Sequence, residues 1–375
     1  MSVPSSVEFW EFPIGEALVL ARPDVQGLFL LNSTSRLIWS ALRLGVTVES
    51  LARQFTAEFD IPHSQAVRDI AATIDSWRED LLSTAPPTQS SVPYLPSTFS
   101  PCFVGNYRLG AKQFRLEVND QDFADEIAPR LAHLHSDTAS PGIHFQVLRV
   151  GGQLKLLTDG VLFGEELEAN AARAVLLQEI SRVAQPGAEW LAILHAGACG
   201  AGTDCVIMPA ETNVGKTTLT AALMHSGLRF LSDDSAAIDR RTLQVAVMPF
   251  ALMLREGSWP VLASRFPELA AVPILERSGY NVRFLAPPTN NQLPAVPKCL
   301  LFIEFRPDAV TTLNPLTPFE SLLRLQKTGF WVAHDRVSIE SFLSWIQSIP
   351  SYRATYSDLS EATALVRGLL NGSSN

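Results

Sequence analysis

Cys205-Val-Ile-Met208 is an apolar segment, and the loop Ala210-Glu-Thr-Asn-Val-Gly215 leads from it into Lys216-Thr-Thr-Leu-Thr-Ala-Ala-Leu-Met-His225. The first segment has the composition of a buried strand and the last that of a helix, which Gly227 would end. Strand, short loop, Gly-Lys-Thr and helix in this order are typical of a phosphate-binding loop. Backbone N–H groups at the start of such a helix, and the helix dipole, favour a bound anion. The stretch therefore predicts an α/β domain that binds phosphate.

The side chains of this loop suggest a nucleotide and a metal ion. Lys216 would neutralise the outer phosphates of ATP, and Thr217 would offer its hydroxyl to Mg²⁺. The predicted nucleotide-binding residues are Ala210, Asn213, Val214, Gly215, Lys216, Thr217 and Thr218.

The loop departs from the usual pattern, which has glycine where this chain has Ala210 and often where it has Asn213. Asparagine tolerates the left-handed conformation better than most residues, whereas Ala210 would be strained if its φ had to be positive. An ordinary loop with a helix-capping threonine is the alternative interpretation.

Two adjacent aspartates follow the next predicted strand, Leu228-Arg-Phe-Leu231. At the carboxyl end of a strand, one of Asp233 and Asp234 could hold Mg²⁺ and the other could accept a proton from an attacking hydroxyl. Ser-Asp-Asp is also good turn chemistry, so a plain turn is the alternative. Leu191 to Gly197 is predicted as one apolar strand, and a lone histidine such as His195 within it is most often a core residue.

Composition and charge limit the classes of partner. The chain has 375 residues, 47% of them apolar, and a net charge of −9. An acidic chain lacks the basic face that nucleic acid requires. No apolar run reaches the roughly 18 residues that span a membrane, and the start lacks a signal peptide, so we expect a soluble, cytoplasmic protein without a membrane partner. The four cysteines show no metal-ligand spacing and are expected to be buried free thiols.

Residues 1–82 form the first predicted domain. A short strand at 27–31 precedes three predicted helices, which start near Asn32 or Ser33, near Thr47 and at Pro62. A strand followed by three short helices resembles a winged helix-turn-helix. Residues 83–101, rich in proline, serine and threonine, are predicted to be a linker.

Residues 102–189 are predicted to be a small α+β subdomain. Segments 113–118, 145–150 and 153–157 alternate as strands do, and Gly151-Gly152 predicts a hairpin between the last two. Residues 166–183 are predicted to be a helix. Residues 190–370 carry the predicted chemistry, and the fold class overall is a multidomain α/β (α+β) chain.

The order and spacing of these motifs resemble the HPr kinase/phosphorylase superfamily, especially its relatives in peptide-modifying gene clusters. The resemblance covers about 102–370. It rests on His195-Ala-Gly197, on Gly215-Lys216-Thr217, on Leu231-Ser232-Asp233-Asp234, and on the later runs 254–260, 265–269 and 281–285.

The resemblance implies a P-loop domain with a mixed sheet, and an ATP- and Mg²⁺-dependent kinase that acts on serine or threonine hydroxyls of a protein or peptide. Lys216 would bind phosphates, and Thr217, Asp233 and Asp234 would share metal binding, with one of the aspartates acting as base. His195 would lie near the transferred phosphoryl group. Arg255 and Arg283 are weaker candidates for stabilising the transition-state charge.

The first domain resembles the PqqD family of peptide-binding winged helices. The residues that carry this resemblance are Leu31 to Trp39, Thr47 to Leu51 and Phe59 to Pro62. The resemblance implies that the leader of a ribosomally made precursor peptide adds to a sheet edge, which we expect around 17–21. A DNA-binding winged helix is disfavoured, because residues 1–82 contain six arginines and no lysine against eleven acidic residues.

Three functions remain open from the sequence. The first is a precursor-peptide kinase whose N-terminal domain holds the leader, and the second is a catalytically weak, nucleotide-binding peptide chaperone. The third is a kinase of a small hydroxyl compound. The sequence leaves the acceptor unnamed and a homo-oligomer open.

Overall fold

The computed structural model describes residues 7–78, 81–82, 99–110, 112–137, 142–183, 188–211, 214–277, 279–288 and 293–372. These residues form a mixed α/β structure with ten α-helices and five sheets. The chain divides into two compact units. The first takes its described residues from 1–89, 317–323 and 334–348, and the second from 90–316, 324–333 and 349–375.

The first unit contains a three-stranded antiparallel sheet and three consecutive helices, followed much later in the chain by a further helix. Its elements are β1 (Trp10–Ile14), β2 (Ala17–Arg22), β3 (Val25–Leu31), α1 (Ser33–Arg43), α2 (Val48–Phe59), α3 (His63–Ser76) and the chain's ninth helix, α9 (Arg336–Ser348). Helix α8 (Pro318–Thr328) has residues in both units.

Local capping signals in this unit are confirmed. The Asn32 side chain accepts a hydrogen bond from the Ser35 amide at 2.8 Å, and the Thr47 hydroxyl accepts one from the Ser50 amide at 3.2 Å. Both satisfy amides that the first helical turn leaves unpaired. The strand predicted at 27–31 is confirmed within β3, whereas the winged helix-turn-helix remains a prediction.

The sheet order is β1-β2-β3, which corrects the expected position of the open edge. Residues 17–21 lie in β2, which pairs with β1 on one side and with β3 on the other. No peptide can add to a strand that is already paired on both sides. The sequence could not show this, because an apolar run reads the same in a central and in an outer strand.

Helix α9 packs against β1 of the first unit. Just before this helix, His334 Nε2 lies 2.7 Å from the carbonyl oxygen of Arg22, and its ring lies 6.0 Å from that of Trp10. The unit that contains the predicted N-terminal domain therefore also includes a helix from near the end of the chain.

A five-stranded sheet opens the second unit. Its elements are β4 (Phe103–Leu109), β5 (Lys112–Val118), α4 (Gln121–Leu131), β6 (Ile143–Val150), β7 (Gln153–Thr158), β8 (Val161–Leu167) and α5 (Ala169–Val183), with a 3-10 helix at Ala132–Leu134. The predicted strands and the hairpin at Gly151-Gly152 are confirmed. Residues 166–167 lie in β8 instead of the predicted helix, because Asp159-Gly160 makes a further hairpin turn with positive φ at both residues.

The rest of the second unit contains three more sheets. Its elements are β9 (Trp190–Leu194), β10 (Ala196–Ala201), β11 (Asp204–Pro209), α6 (Lys216–His225), β12 (Arg229–Ser232), β13 (Ala236–Asp239), β14 (Leu252–Arg255), α7 (Trp259–Leu262), β15 (Leu275–Arg277), β16 (Tyr280–Leu285), β17 (Val296–Phe305), β18 (Thr312–Pro315), β19 (Phe330–Trp331), β20 (Ser351–Tyr356) and α10 (Leu359–Leu370), with 3-10 turns at Glu256–Ser258 and Pro267–Ala271.

The largest sheet has the order β12-β10-β11-β17-β20-β18, and two smaller sheets have the orders β13-β9-β19 and β14-β16-β15. Strands β11, β17 and β20 are parallel, so their carboxyl ends share one edge of the large sheet. Strand β10 is antiparallel to both β11 and β12, and therefore begins at this edge, where β12 ends.

Residues 191–197 are two strands in two different sheets, which corrects the prediction of a single strand. The chain leaves the small sheet at Leu194, bends at His195 and enters the large sheet at Ala196. It passes between the same two sheets again at 233–235, between β12 and β13. Strands β9 and β10 are both apolar and mostly buried, so the hydrophobic pattern alone does not separate them.

Three of the four expected buried thiols are buried, namely Cys199, Cys205 and Cys299, and burial raises the pKa of each. Cys102 is exposed, so that expectation is wrong for this residue. Among the described residues, no helix is both long and apolar enough to cross a bilayer.

Candidate functional site

Gly215 ends the predicted phosphate loop with a positive φ of 92° and precedes helix α6. A Cβ at this position would lie 2.8 Å from the Tyr356 hydroxyl, so both its conformation and its surroundings require glycine. Helix α6 begins and ends at the predicted residues, Lys216 and His225, and Gly227 follows with a φ of 89°. Val214 packs partly buried against the adjacent core, whereas Asn213 lies outside the described residues.

Ala210 is a buried core residue that follows β11. Its φ is not positive, since the non-glycine residues with positive φ in the described chain are Asp60, Asp159, Leu243 and Asp308. The backbone here therefore does not need glycine, and the strain that the sequence suggested for Ala210 does not arise.

The Lys216 ammonium group lies close to both Asp233 and Asp234. It donates a hydrogen bond to the Asp233 carbonyl, lies 3.0 Å from Asp234 Oδ1 and lies 3.6 Å from Asp233 Oδ1. Its side chain is 8% exposed. Thus the lysine of the loop and the acidic pair, 17 residues apart in the chain, meet at one point.

Thr217 binds the other oxygen of Asp233, its hydroxyl donating to Oδ2 at 2.9 Å. Asp233 Oδ1 is buried and has no hydrogen-bond partner. A buried carboxylate oxygen without a donor is costly unless a cation satisfies it. The structure therefore brings together the predicted metal ligands Thr217 and Asp233 in an arrangement that could hold a metal ion.

His195 lies at the bend between β9 and β10, where its amide donates to the Gly329 carbonyl at 3.0 Å. Its ring nitrogen Nδ1 lies 3.2 Å from the Asp234 carbonyl oxygen. Burial, helped by nearby Lys216, lowers the pKa of His195 to about 4, so the ring is neutral near pH 7. Two residues on, a Cβ at Gly197 would lie 2.7 Å from the Thr220 hydroxyl of α6, which explains the glycine of the His-Ala-Gly motif.

The two aspartates have opposite pKa shifts. Burial raises the pKa of Asp233 and outweighs the attraction of Lys216. Burial also acts to raise the pKa of Asp234, but Lys216 and Arg130 outweigh it and hold that pKa well below its usual range. The lowered pKa keeps Asp234 ionised near pH 7, and unlike Asp233 it lines the open cleft.

Two arginines of the site were missed by the sequence reasoning. Arg130, from the last turn of α4, pairs with Asp234 Oδ2 and is almost wholly buried. Arg173 of α5 pairs with Glu126 and also lines the cleft. Both come from the section predicted to be a separate small subdomain. No motif surrounds either residue, so the sequence carried no signal for them.

Of the two weaker arginine candidates, the structure places one on the lining of the cleft. Arg255 lines the cleft, with its guanidinium 4.1 Å from the centre of the Tyr280 ring. Arg283 is absent from the described lining residues and stacks on Trp259 at 4.4 Å. Arg255 can therefore contact a ligand in the cleft, whereas Arg283 supports the wall next to it.

The cleft above these residues has a volume of about 690 Å³. The Thr218 hydroxyl faces it and lies 2.7 Å from the Ser258 hydroxyl. Phe305 and Tyr356, at the carboxyl ends of β17 and β20, form another wall, and Asp358 caps α10 beside them. The cationic side chains lining the cleft are Arg130, Arg173, Lys216, Arg255 and Arg265. Three carboxylates, Glu211, Asp234 and Asp358, also line it, so the cations are in excess by two, and this excess around a helix N-terminus favours an anionic ligand.

Comparison with known families finds a match for one region of the chain. Residues 17–82 match the family model described as Coenzyme PQQ synthesis protein D (PqqD). PqqD-like domains bind precursor peptides, so the match supports an N-terminal peptide-binding domain and a peptide partner. No curated protein matches the chain. The resemblance of the second unit to HPr kinases remains a prediction.

Proposed function

We propose that this protein is an ATP-dependent kinase that phosphorylates a serine or threonine hydroxyl of a ribosomally made precursor peptide. The observation that carries the proposal is the meeting of Lys216, Thr217, Asp233 and Asp234 at the N-terminus of α6, at the base of a cationic cleft. These are the parts that phosphoryl transfer uses: a cradle for phosphates, a metal site and a carboxylate facing the acceptor.

Thr217 and Asp233 suit Mg²⁺. The ion typically takes one or two carboxylates and completes its shell with water and phosphate oxygens, and Asp233 Oδ1, which accepts no hydrogen bond, could be such a ligand. Among the described residues, no three or more His, Cys, Asp or Glu side chains form a group that could hold a metal by themselves, so nucleotide and water oxygens would have to supply the remaining ligands. When bound, the ion would neutralise charge on the outer phosphates.

Asp234 is the better candidate to orient the acceptor, because it lines the cleft and is ionised. The acceptor oxygen would bond to the terminal phosphorus as the bond to the bridging oxygen breaks, and ADP would leave. The hydroxyl proton would pass to Asp234. His195 adds no charge beside it, since its pKa is about 4, and Lys216 and Arg130 stabilise the charge that develops.

The first unit would hold the leader of the same peptide. Its two outer strands are β1, against which α9 packs, and β3. A leader could add to an outer strand of this sheet. Binding the leader would raise the local concentration of the acceptor, so the cleft need not bind it tightly.

The test is to incubate the protein with ATP, Mg²⁺ and the peptide encoded beside its gene, and to measure added phosphoryl groups by mass spectrometry. The wild type should add phosphoryl, and Lys216→Ala should lower the rate by about a hundredfold or more while leaving leader binding unchanged. Lys298→Ala is the matched control, since Lys298 forms an exposed ion pair with Asp204.

The alternatives give different results. A nucleotide-binding chaperone would bind ATP and peptide but would be as inert as Lys216→Ala. A kinase of a small hydroxyl compound would leave the peptide unmodified and turn over ATP with that compound instead. Ala210 was the reason to expect a weak catalyst, and its unstrained place in the core removes that reason.

A further inference from the structure

A second groove, of about 670 Å³, lies on the second unit. Its lining residues are mostly apolar, with His135 and the buried Tyr107 as its titratable side chains. Val104 of β4 is 44% exposed on this lining. The groove therefore suits an uncharged, apolar ligand, in contrast to the cationic cleft.

Two outer strands border the groove. Strand β4 is the outer strand of the five-stranded sheet, and β15 is the outer strand of the sheet β14-β16-β15. On the outer side of β4, the Ser136 amide donates to the Asn106 carbonyl, and Tyr107 forms a bridge with His135. No described residue pairs with this side of the strand at 103–105. Both strands line the groove, β4 with Phe103 and Val104 and β15 with Leu275. Unpaired backbone N–H and C=O groups at such edges are a template for an added strand.

The groove and the catalytic cleft share a wall. Pro129 of α4 lines the groove, and the next residue, Arg130, lines the cleft. Phe284 also lines the groove, and its ring centre lies 5.7 Å from the Arg130 guanidinium. Arg130 in turn pairs with Asp234, the residue expected to face the acceptor hydroxyl. A chain lying in the groove is thus one layer of side chains away from the phosphorylation site.

We infer that this groove binds an extended, apolar segment of the acceptor peptide, next to the residue that is phosphorylated. The inference rests on the proposed function. The open edges would pair with the backbone of the segment, and the apolar lining would contact alternate side chains. Two backbone edges fit a peptide better than a small apolar molecule, which has no backbone to pair with them, and the PqqD-like match supports a peptide partner.

The inference can be tested with Val104→Glu, which places a carboxylate in the groove at an exposed position. Val161→Glu is the matched control, because Val161 is 53% exposed on β8, the opposite outer strand of the same sheet. The probe is the full precursor peptide encoded beside the gene. Phosphorylation kinetics and hydrogen–deuterium exchange are measured for the wild type and both variants.

We expect the peptide to slow amide exchange at 103–105 and 275–277 in the wild type and in Val161→Glu. Val104→Glu should lose this protection and raise the KM for the peptide about tenfold or more, because a carboxylate is costly to bury against an apolar segment. Its kcat and its KM for ATP should stay unchanged. Equal behaviour of the two variants, or exchange slowed only in β3, would overturn the inference.

The outcomes also separate the groove from the proposed function. If the wild type transfers no phosphoryl group but the peptide still protects both edges, the kinase proposal fails and the groove stands as a peptide site. If transfer is normal and the edges exchange as before, the groove fails and the kinase proposal stands.

Discussion

Two ion pairs, one from each unit, lie in different surroundings. In the first unit, Arg43 and Glu11 approach to 2.5 Å with side chains 50% and 39% exposed. In the second, Arg130 and Asp234 pair with side chains 1% and 14% exposed, and Lys216 meets the same carboxylate. An exposed pair adds little to stability, whereas a buried pair is costly to desolvate and costlier to break. Two buried cations around one aspartate are therefore better explained by binding an anion than by stabilising the fold.

Removing the shared carboxylate should have one of the two largest effects on stability. Asp234→Asn leaves Arg130 buried without a counter-ion, and we expect a loss of about 3–5 kcal/mol in the free energy of unfolding. Glu11→Gln, which breaks the exposed pair, should cost less than about 1 kcal/mol. Chemical denaturation measures both. Equal losses would show that the two kinds of pair do not differ as their burial suggests.

The first unit can be tested for its dependence on the end of the chain. Phe342 of α9 is fully buried, so Phe342→Ala should cost about 3–5 kcal/mol. Because α9 packs against β1, amide exchange at 10–14 should become faster. Val337→Ala, at an exposed position of the same helix, is the control. Unchanged exchange in β1 would mean that residues 7–82 hold their sheet without this helix.

The partly buried His195 should make stability depend on pH. Its pKa falls from 6.5 to about 4 on folding, so between these values the unfolded chain takes up a proton that the folded chain does not. The wild type should therefore lose stability as pH falls from 6.5 to about 4. His195→Gln removes this contribution and should flatten that part of the curve, measured by denaturation across pH. Parallel curves for the two proteins would contradict the assigned pKa shift.

The smallest effect is expected at Ala210. Since its φ is not positive, Ala210→Gly should not raise phosphoryl transfer, and it should cost about 1 kcal/mol through the added freedom of the unfolded chain and the lost methyl group. Ala52→Gly, at a buried position in α2 of the first unit, should cost a similar amount. A clear gain in rate for Ala210→Gly would restore the view that the loop is impaired.

Much of the local structure could be predicted from the sequence. The caps at Asn32 and Thr47, the hairpin at Gly151-Gly152 and the bounds of α6 all follow from residues a few positions apart. Turn and cap chemistry is local, because a side chain or a positive φ acts on its own stretch of backbone. For the same reason the predicted phosphate loop and the Asp233-Asp234 pair could be singled out from the sequence before their contacts were known.

Only the tertiary structure decided which distant groups meet. It breaks the apolar run at His195 between two sheets, makes β2 a central strand, brings Arg130 and Arg173 to the cleft and packs α9 against β1. Each outcome depends on which buried surfaces pair, and apolar residues pack with many partners equally well. The sequence by itself therefore determined the chemistry of the loop and the peptide-binding resemblance of residues 17–82, while long-range packing determined the charge and shape of the site around Lys216.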